Sequence, residues 1–301
     1  MSWPYWARNQ RARGATVTAP GFFPVLPQGY VEVADATFDT GYVYTGGGTV
    51  LHDGFEFLTF PNGRGALIVD ATAPSGTGYV IASKSPANFT PANMNTLQVK
   101  PVTVPPGRRK MGTAFTFRVD PAYINETNGI KLLYPRLSRD GAADGQWSPV
   151  LATVNGDTSG PLRLTAGQVW RWNGSTYEQP PLFDNRSGFS QGAPFLLQKN
   201  QWYKLMHVFE LESVGLSDGP YDGVFREWVS SWTGSVWSEP MLLKEYTDVR
   251  YTFPPSGHAT TSIVFQTGTK IWDFYRGGSD GIQIPVDGFI YLDRFAVYTD
   301  P

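Results

Sequence analysis

Residues 202–212, WYKLMHVFELE, and residues 288–298, GFIYLDRFAVY, have the composition of long β-strands. Both are rich in aromatic and branched side chains, which favour strands. Similar but shorter segments recur from residue 30 onward, each bounded by Gly, Pro, Asn or Asp. They are YVEVADATF (30–38), VLHDGFEFLTF (50–60), GALIVDA (65–71), GYVIAS (78–83), TLQVKPVTV (96–104), TAFTFRV (113–119), WSPVLATV (147–154), PLRLTAGQVWRW (161–172), GVFREWVSSW (223–232) and TSIVFQTG (261–268). The pattern predicts an all-β chain of many short strands.

Helical periodicity is nearly absent from the sequence. Only ANMNTLQ (92–98) and EPMLLKEYT (239–247) are candidate helices, each of about two turns. Two segments with an aromatic–turn–aromatic pattern, WRWNGSTY (170–177) and SWTGSVW (231–237), are predicted to be β-hairpins, and in the first of them Asn-Gly at 173–174 supplies the positive φ that a tight hairpin turn needs. A chain of this kind closes as a β-sandwich or jelly roll.

Composition excludes several classes of protein. Charged residues make up 17% of the 301 residues, and 33 Gly and 24 Pro argue against a helical bundle or a coiled coil. The absence of cysteine excludes disulfides, thiolate zinc sites and a cysteine nucleophile. A net charge of −2 argues against a nucleic-acid-binding domain. No apolar run is long enough to span a membrane, and the first residues lack the apolar core of a secretory signal.

The first 29 residues differ from the rest of the chain. Three prolines (Pro20, Pro24 and Pro27) disfavour both a helix and a central strand. We expect an extended arm (1–29) that docks on its own domain (30–301) or on a neighbouring subunit, with a disordered linker as the alternative. The residues expected to make its contacts are Trp3, Tyr5, Trp6, Arg8, Arg11, Arg13, Phe22 and Phe23.

Four features follow in order between residues 200 and 300. They are Gln201-Trp202-Tyr203 at the start of a strand, Asp222 to Val229, a glycine-rich loop from Phe274 to Asp280, and a last strand from Tyr291 to Tyr298. Their order resembles that of the alginate-lyase-like polysaccharide lyases, which share a concanavalin-A-like jelly-roll β-sandwich. The resemblance extends upstream to 113–120 and 128–133 and implies the same fold here.

The same resemblance implies where catalytic residues of a lyase would lie. Lys131 matches the lysine of the family. Val150 stands where the family has an arginine, and Leu162-Arg163-Leu164 stands where it has a pair of tyrosines. Elimination at a uronate needs neutralisation of the carboxylate, a base and an acid. One of the three elements is retained, so we expect a groove that binds a glycan, with Lys131 as the catalytic residue only if the protein is a lyase.

Other candidate sites come from residue type and spacing. Flat rings stack on sugars, and the expected carbohydrate-binding residues are Trp147, Arg163, Trp170, Trp172 and Trp272. Glu210 and Glu212 share one strand face, as in a glycosidase pair, although a solvated strand face is the simpler interpretation. No metal site is predicted, although calcium is conceivable at the Asp residues of glycine-rich turns, which are Asp218, Asp222, Asp280 and Asp287. His207 is interpreted as a packed or hydrogen-bonded side chain rather than a base.

Three functions remain open from the sequence. The first, which we favour, is a non-enzymatic bacteriophage virion protein with a lectin-like domain, assembled in the host cytoplasm. It would contact other virion subunits through its arm, form a homo-oligomer and bind surface polysaccharide, but neither nucleic acid nor membrane. The second is an active polysaccharide lyase, and the third is a carbohydrate-binding module of a cellular enzyme. The sequence predicts no cofactor for any of them.

Overall fold

The protein was analysed as a computed structural model. The structure describes residues 22–38, 48–59, 65–85, 95–101, 104–105, 108–120, 130–133, 147–148, 152–155, 162–166, 170–172, 177–178, 195–211, 223–249, 272–275 and 288–301. Within these ranges every regular element is a β-strand, and every described pair of strands is antiparallel. The predicted all-β class is therefore confirmed.

The strands of the first half begin close to the predicted segments. They are β1 (Val31–Thr37), β2 (Gly48–His52), β3 (Phe55–Thr59), β4 (Gly65–Val69), β5 (Tyr79–Ser85), β6 (Asn95–Pro101), β7 (Lys110–Val119), β8 (Ile130–Leu133), β9 (Trp147–Ser148) and β10 (Ala152–Asn155). The second half contains β11 (Leu162–Ala166), β12 (Trp170–Trp172), β13 (Tyr177–Glu178), β14 (Phe195–Leu197), β15 (Trp202–Glu210), β16 (Gly223–Ser231), β17 (Met241–Val249), β18 (Trp272–Tyr275) and β19 (Gly288–Thr299).

The largest sheet, called the main sheet here, has the strand order β17-β16-β15-β7-β19-β5-β4. Strand β19 pairs along one edge with β7 and along the other edge with β5 and then with β1. It therefore joins three neighbours, which explains why the C-terminal segment needs twelve residues of strand. The segment TSIVFQTG, also predicted as a strand, lies outside the described residues.

A second layer consists of two four-stranded sheets, β18-β6-β3-β2 and β14-β11-β10-β8, which meet where β18 lies beside β8. Its buried side chains pack against the main sheet. Phe57 of β3, Val99 of β6 and Leu197 of β14 are each fully buried in the same cluster as Phe115 and Phe295 of the main sheet. A smaller sheet, β13-β12-β9, completes the described strands.

Aromatic rings fill the space between the two layers. The rings of Phe115 and Phe295 stack at 6.1 Å, and Phe57 meets Phe295 edge-on at 5.6 Å. Phe38 packs on both Phe57 and Phe295. Because large aromatic side chains bury the most apolar area, this cluster supplies a large share of the stability of the sandwich.

Both candidate helices are wrong. Residues 95–98 belong to β6 and residues 241–247 belong to β17. Segments of about two turns gain little helical stability of their own, whereas pairing with β3 and β16 satisfies their backbone groups. Both predicted hairpins are confirmed: β12 pairs with β13, and Trp232 bridges Trp237 across a turn in which Gly234 has φ of +97°.

Residues 22–30 lie across the outer face of the main sheet, the face turned away from the second layer. Phe22, Phe23 and Tyr30 are buried in one cluster with Ala114 and Met206 of that face. The described part of the expected arm is therefore packed on its own domain, and we call residues 22–30 the clasp. Residues 1–21, with the other expected contact residues of the arm, lie outside the described residues.

Candidate carbohydrate-binding face and buried charges

Lys131 and Arg163, the two cations that the sequence analysis considered for a glycan site, occupy positions on the outer face of the second layer. In antiparallel sheets paired residues lie on the same face, and so do residues two apart on one strand. Lys131 pairs with Thr153, which pairs with Thr165. Arg163 stands two residues from Thr165 and pairs with Asn155. Lys131 and Arg163 therefore occupy positions on one face of the sheet.

The neighbouring strand β14 shows which face this is. Leu197 is fully buried in the core and Phe195 packs against it, whereas Leu196 between them is 46% exposed. Arg163 pairs with Leu196, and Leu162 and Leu164 pair with Leu197 and Phe195. The register thus places Arg163, and with it Lys131, on the side that faces away from the core.

The tryptophans predicted to bind sugar are not all on one face. Trp170 and Trp172 share a face of β12, as expected from their spacing. Trp147 pairs with Arg171, so its register position is on the opposite face. Trp272 pairs with Val99, which pairs with Phe57, and both of these are buried in the core. The register position of Trp272 is therefore on the core side.

Sequence reasoning missed a buried lysine on the outer face of the main sheet. Lys204 is 1% exposed, and its Nζ atom has no hydrogen-bond partner among the residues that the structure describes. It lies 5.0 Å from the centre of the Phe22 ring and 4.7 Å from that of Trp237. Burial, with a smaller contribution from the positive charge of Arg294, lowers the pKa of Lys204 to about 8. The sequence signal was a lysine two residues from both Trp202 and Met206, on the same face of a strand as these large apolar side chains.

A β-bulge places two charged neighbours on that same outer face. The register of β19 against β7 shifts between Leu292 and Phe295, so Asp293 and Arg294 both turn outward. The guanidinium of Arg294 pairs with Asp35 and lies 4.0 Å from the centre of the Phe22 ring. The Phe22 ring therefore makes cation–π contacts with both Arg294 and Lys204.

Asp293 is fully buried beside these cations. Its carboxylate accepts hydrogen bonds from the amide of Ser75 at 2.8 Å and from the Ser75 hydroxyl at 2.5 Å. Burial is the largest influence on its pKa, which is raised to about 6 despite these hydrogen bonds. The chief effect of the carboxylate is to fasten the turn that contains Ser75 to the centre of the main sheet.

His207 has the structural role that the sequence predicted. It is fully buried, and its Nε2 atom lies 2.9 Å from Oε2 of Glu227. Glu210, one of the two glutamates considered as a glycosidase pair, forms an ion pair with Lys110 at 3.0 Å. Glu212 lies outside the described residues, as do the four Asp residues considered for calcium. Within the part of the chain that the structure describes, no cluster of His, Asp and Glu suited to a metal is present, and no helix is long and apolar enough to cross a membrane.

The two-layer antiparallel architecture can be compared with solved structures. It is similar to that of alginate lyases. An alginate lyase of family PL-14 from Aplysia kurodai is 14% identical, with 78% of this chain and 87% of that chain covered and a TM-score of 0.49. The alginate lyase Aly36B is 13% identical, with 88% and 96% covered and a TM-score of 0.49. Both are alginate lyases, the class of protein that the motifs between residues 200 and 300 resemble.

A protein from a bacteriophage is also similar. A carbohydrate esterase from the Shiga toxin-encoding bacteriophage phi24B is 13% identical, with 83% of this chain and 91% of that chain covered and a TM-score of 0.44. Identities this low concern the fold alone. No family model matches the chain, and no curated protein matches it.

Proposed function

We propose that the outer face of the second layer binds an acidic, uronate-containing polysaccharide. The observation that carries this proposal is the register of β8, β10 and β11, which puts Lys131 and Arg163 on the same face, away from the core. A uronate chain presents one carboxylate per acidic sugar. Two cations on one sheet face give such a chain two points of charge-assisted hydrogen bonding.

The spacing of the two cations suits an extended ligand. One strand, β10, lies between β8 and β11, so the two positions are roughly 10 Å apart across the sheet. They are also offset along the strands by the two-residue step from Arg163 to Thr165, roughly 7 Å. Thr153, Thr165 and Asn155 occupy positions on the same face and offer donors and acceptors suited to sugar hydroxyls.

Binding without cleavage is the form of this function that we favour. Elimination requires a base, an acid and a group that neutralises the carboxylate. Val150 stands where the lyase motif has its arginine, and Arg163 stands in place of the tyrosines. Lys131 and Arg163 supply charge on this face, but the proton-donating tyrosine has no counterpart in the motif. These departures support a lectin-like role.

Binding is tested by calorimetric titration with alginate oligosaccharides at low salt. Lys131→Gln and Arg163→Gln should each weaken binding by about 10-fold, the scale of one charge-assisted hydrogen bond. Lys110→Gln is the matched control, because it removes one positive charge from an exposed position of the main sheet. An equal loss in the control would mean that net charge, rather than this face, attracts the polysaccharide.

The shared face of Lys131 and Arg163 also favours one alternative, an active polysaccharide lyase. In this alternative Arg163 neutralises the carboxylate and Lys131, as the neutral amine, takes the proton from the carbon that bears the carboxylate. The C–O bond to the neighbouring sugar breaks as the C=C bond forms, and the resulting lysine ammonium returns the proton to the leaving oxygen. Incubation with uronate polysaccharides, followed by ultraviolet absorbance of the unsaturated product, distinguishes the two. A rise that Lys131→Gln abolishes would establish the lyase, and a flat trace with measurable binding would support the lectin-like role.

For the biological setting we propose a bacteriophage particle, on whose surface the sandwich displays its glycan-binding face. The support is the sequence of residues 1–21, in which the aromatic residues Trp3, Tyr5 and Trp6 are followed by three arginines at positions 8, 11 and 13. Because residues 22–30 pack on the main sheet, the informative truncation removes residues 1–21 only. This truncation should leave the melting temperature unchanged and prevent incorporation into particles; normal incorporation would contradict the proposal.

A further inference from the structure

The clasp is held to the main sheet chiefly by side chains. Among the described residues, the clasp makes one backbone hydrogen bond outside the strands, from the amide of Leu26 to the carbonyl of Phe23. This bond lies within the clasp and does not join it to the sheet. Phe23 is fully buried and meets Tyr298 edge-on at 5.7 Å. Phe23 and Leu26 also fill the space above Gly112, where a Cβ atom would lie 2.9 Å and 2.5 Å from them. A segment attached in this way can leave the sheet without breaking any strand pairing.

Closing the clasp buries a positive charge for which no described residue is a hydrogen-bond acceptor. The Phe22 ring covers Lys204, whose Nζ atom makes no hydrogen bond to any described residue, and within the same ranges the hydroxyl of the paired residue Ser230 has no partner. The cation–π contacts with Phe22 and Trp237 offset only part of the cost of removing an ammonium group from water. The closed state of the clasp therefore includes the free-energy cost of burying the ammonium group, and opening removes that cost.

We propose that the clasp opens reversibly while the rest of the sandwich stays folded, and that the protonation state of Lys204 sets how often it does so. Protonated Lys204 gains water when the clasp opens, so the charged form favours the open state. Neutral Lys204 loses little on burial, so the neutral form favours the closed state.

The charged groups around Lys204 support this assignment. From β19, Arg294 repels the ammonium, and its charge is already paired with Asp35 of β1. Asp293, also on β19, is engaged by Ser75. The side chains that β16, the clasp and the hairpin place against Lys204 are Ser230, Phe22 and Trp237, and none of them is charged. No described neighbour offers Lys204 a carboxylate in ion-pair range. The protonation of Lys204 itself therefore sets the equilibrium between the open and the closed clasp.

The sign and size of the effect follow from the two protonation equilibria. In the closed state the pKa of Lys204 is lowered to about 8, from an ordinary value of 10.5. If opening restores that ordinary value, the opening equilibrium is largest below pH 8 and decreases as the pH rises towards 10.5. Between pH 6.5 and 9.5 the expected decrease is about 30-fold.

The absence of cysteine from the chain allows a direct measurement of opening. Ala114→Cys puts a thiol in the cluster that the clasp covers, and Ala36→Cys puts one in the core on the other face of the main sheet. Ser235→Cys, at the exposed turn of the hairpin, gives the intrinsic reactivity at each pH. Alkylation rates by iodoacetamide, each divided by the rate of the Ser235→Cys variant, report how often each site opens.

We expect the thiol at position 114 to react at least 10-fold faster than the thiol at position 36 at pH 6.5, and its normalised rate to fall by about 30-fold towards pH 9.5. Phe22→Ala should accelerate labelling at position 114 and leave position 36 unchanged. Lys204→Met, which keeps the length of the side chain, should abolish the pH dependence at position 114. Equal rates at positions 114 and 36, or a pH dependence that survives in Lys204→Met, would overturn the proposal. Neither outcome depends on glycan binding or on particles.

Discussion

The Nε2 atom of His207 lies 2.9 Å from Oε2 of Glu227, between two layers that otherwise bury mainly apolar side chains. Both side chains are fully buried. The rings of Phe209 and Phe225 pack against the imidazole, and the hydroxyl of Thr113 lies 3.4 Å from its Nδ1 atom. The second carboxylate oxygen of Glu227 has no hydrogen-bond partner in the described part of the chain. The two residues therefore depend on each other for polar contact.

Removal of one member of this pair should lower the free energy of unfolding by more than the loss of one side chain's packing would. Glu227→Leu leaves the His207 ring buried without its main partner, and we expect the free energy of unfolding to fall by about 3–5 kcal/mol. The double variant His207→Leu/Glu227→Leu should lose less than the sum of the two single variants, because neither polar group is then left alone. Urea unfolding of the four proteins in this cycle measures the coupling, and additive losses would show that the pair does not act as a unit.

Asp293 should make stability depend on pH in the mildly acidic range. Its pKa is about 6 in the folded protein and 3.8 when the group is in water. Because the raised pKa lets the folded state bind the proton more tightly, this contribution is complete below pH 4 and is lost as the pH rises through 6. The loss amounts to about 3 kcal/mol.

The contribution of Asp293 can be isolated by substitution. Asp293→Asn removes the titration while keeping an acceptor for Ser75, so the difference in unfolding free energy between this variant and the native protein should change between pH 4 and pH 6 and stay constant above pH 7. Glu239→Gln removes an exposed carboxylate and serves as the control. A constant difference for Asp293→Asn across the whole range would contradict the assignment.

Gly112 should tolerate no side chain while the clasp is closed. A Cβ atom there would lie 2.5 Å from Leu26 and 2.9 Å from Phe23, closer than real Cβ contacts. We expect Gly112→Ala to lower the free energy of unfolding by about 1–3 kcal/mol, the usual cost of overpacking. Leu26→Ala should recover part of this loss in the double variant, because it clears the nearer contact. Thermal unfolding of the two single variants and the double variant tests this, and equal losses in the presence and absence of Leu26 would count against the contact.

Arg118 should not be replaceable by lysine. Its guanidinium lies 5.2 Å and 4.4 Å from the ring centres of Trp202 and Tyr291, and it donates to Asp70 at 2.6 Å and to Asn200 at 2.7 Å. A lysine cannot stack between two rings while it donates in two directions. We expect Arg118→Lys to cost about 1–2 kcal/mol in urea unfolding.

A second arginine provides the comparison for that prediction. Arg226→Lys alters a more exposed arginine that pairs with Glu245 and should change stability by less than about 0.5 kcal/mol. Similar losses in the two variants would show that the rings around Arg118 contribute nothing beyond an ordinary ion pair.

The sequence predicted the strands better than their partners. Aromatic and branched residues bounded by Gly and Pro located most strands within a few residues, and the turn at Gly234 could be identified from Thr-Gly-Ser alone. Residues 92–98 and 239–247 were wrongly predicted as helices because their composition permits a short helix. Their strand state depends on pairing with β3, which ends at Thr59, and with β16, which ends at Ser231, and neither pairing can be identified from the composition of the segments themselves.

What the sequence determined by itself was the local chemistry: an all-β chain without thiols, hairpins at its tight turns, and a final strand rich in aromatic and aliphatic residues. Only the tertiary structure decided which face each residue occupies. It placed Lys131 and Arg163 on a shared outer face and Trp272 at a core-side position. It also buried Lys204 beneath Phe22, 182 residues away in the chain. Strand alternation fixes two faces, but the register between distant strands and the segment that covers each face are set by packing, which no local pattern encodes.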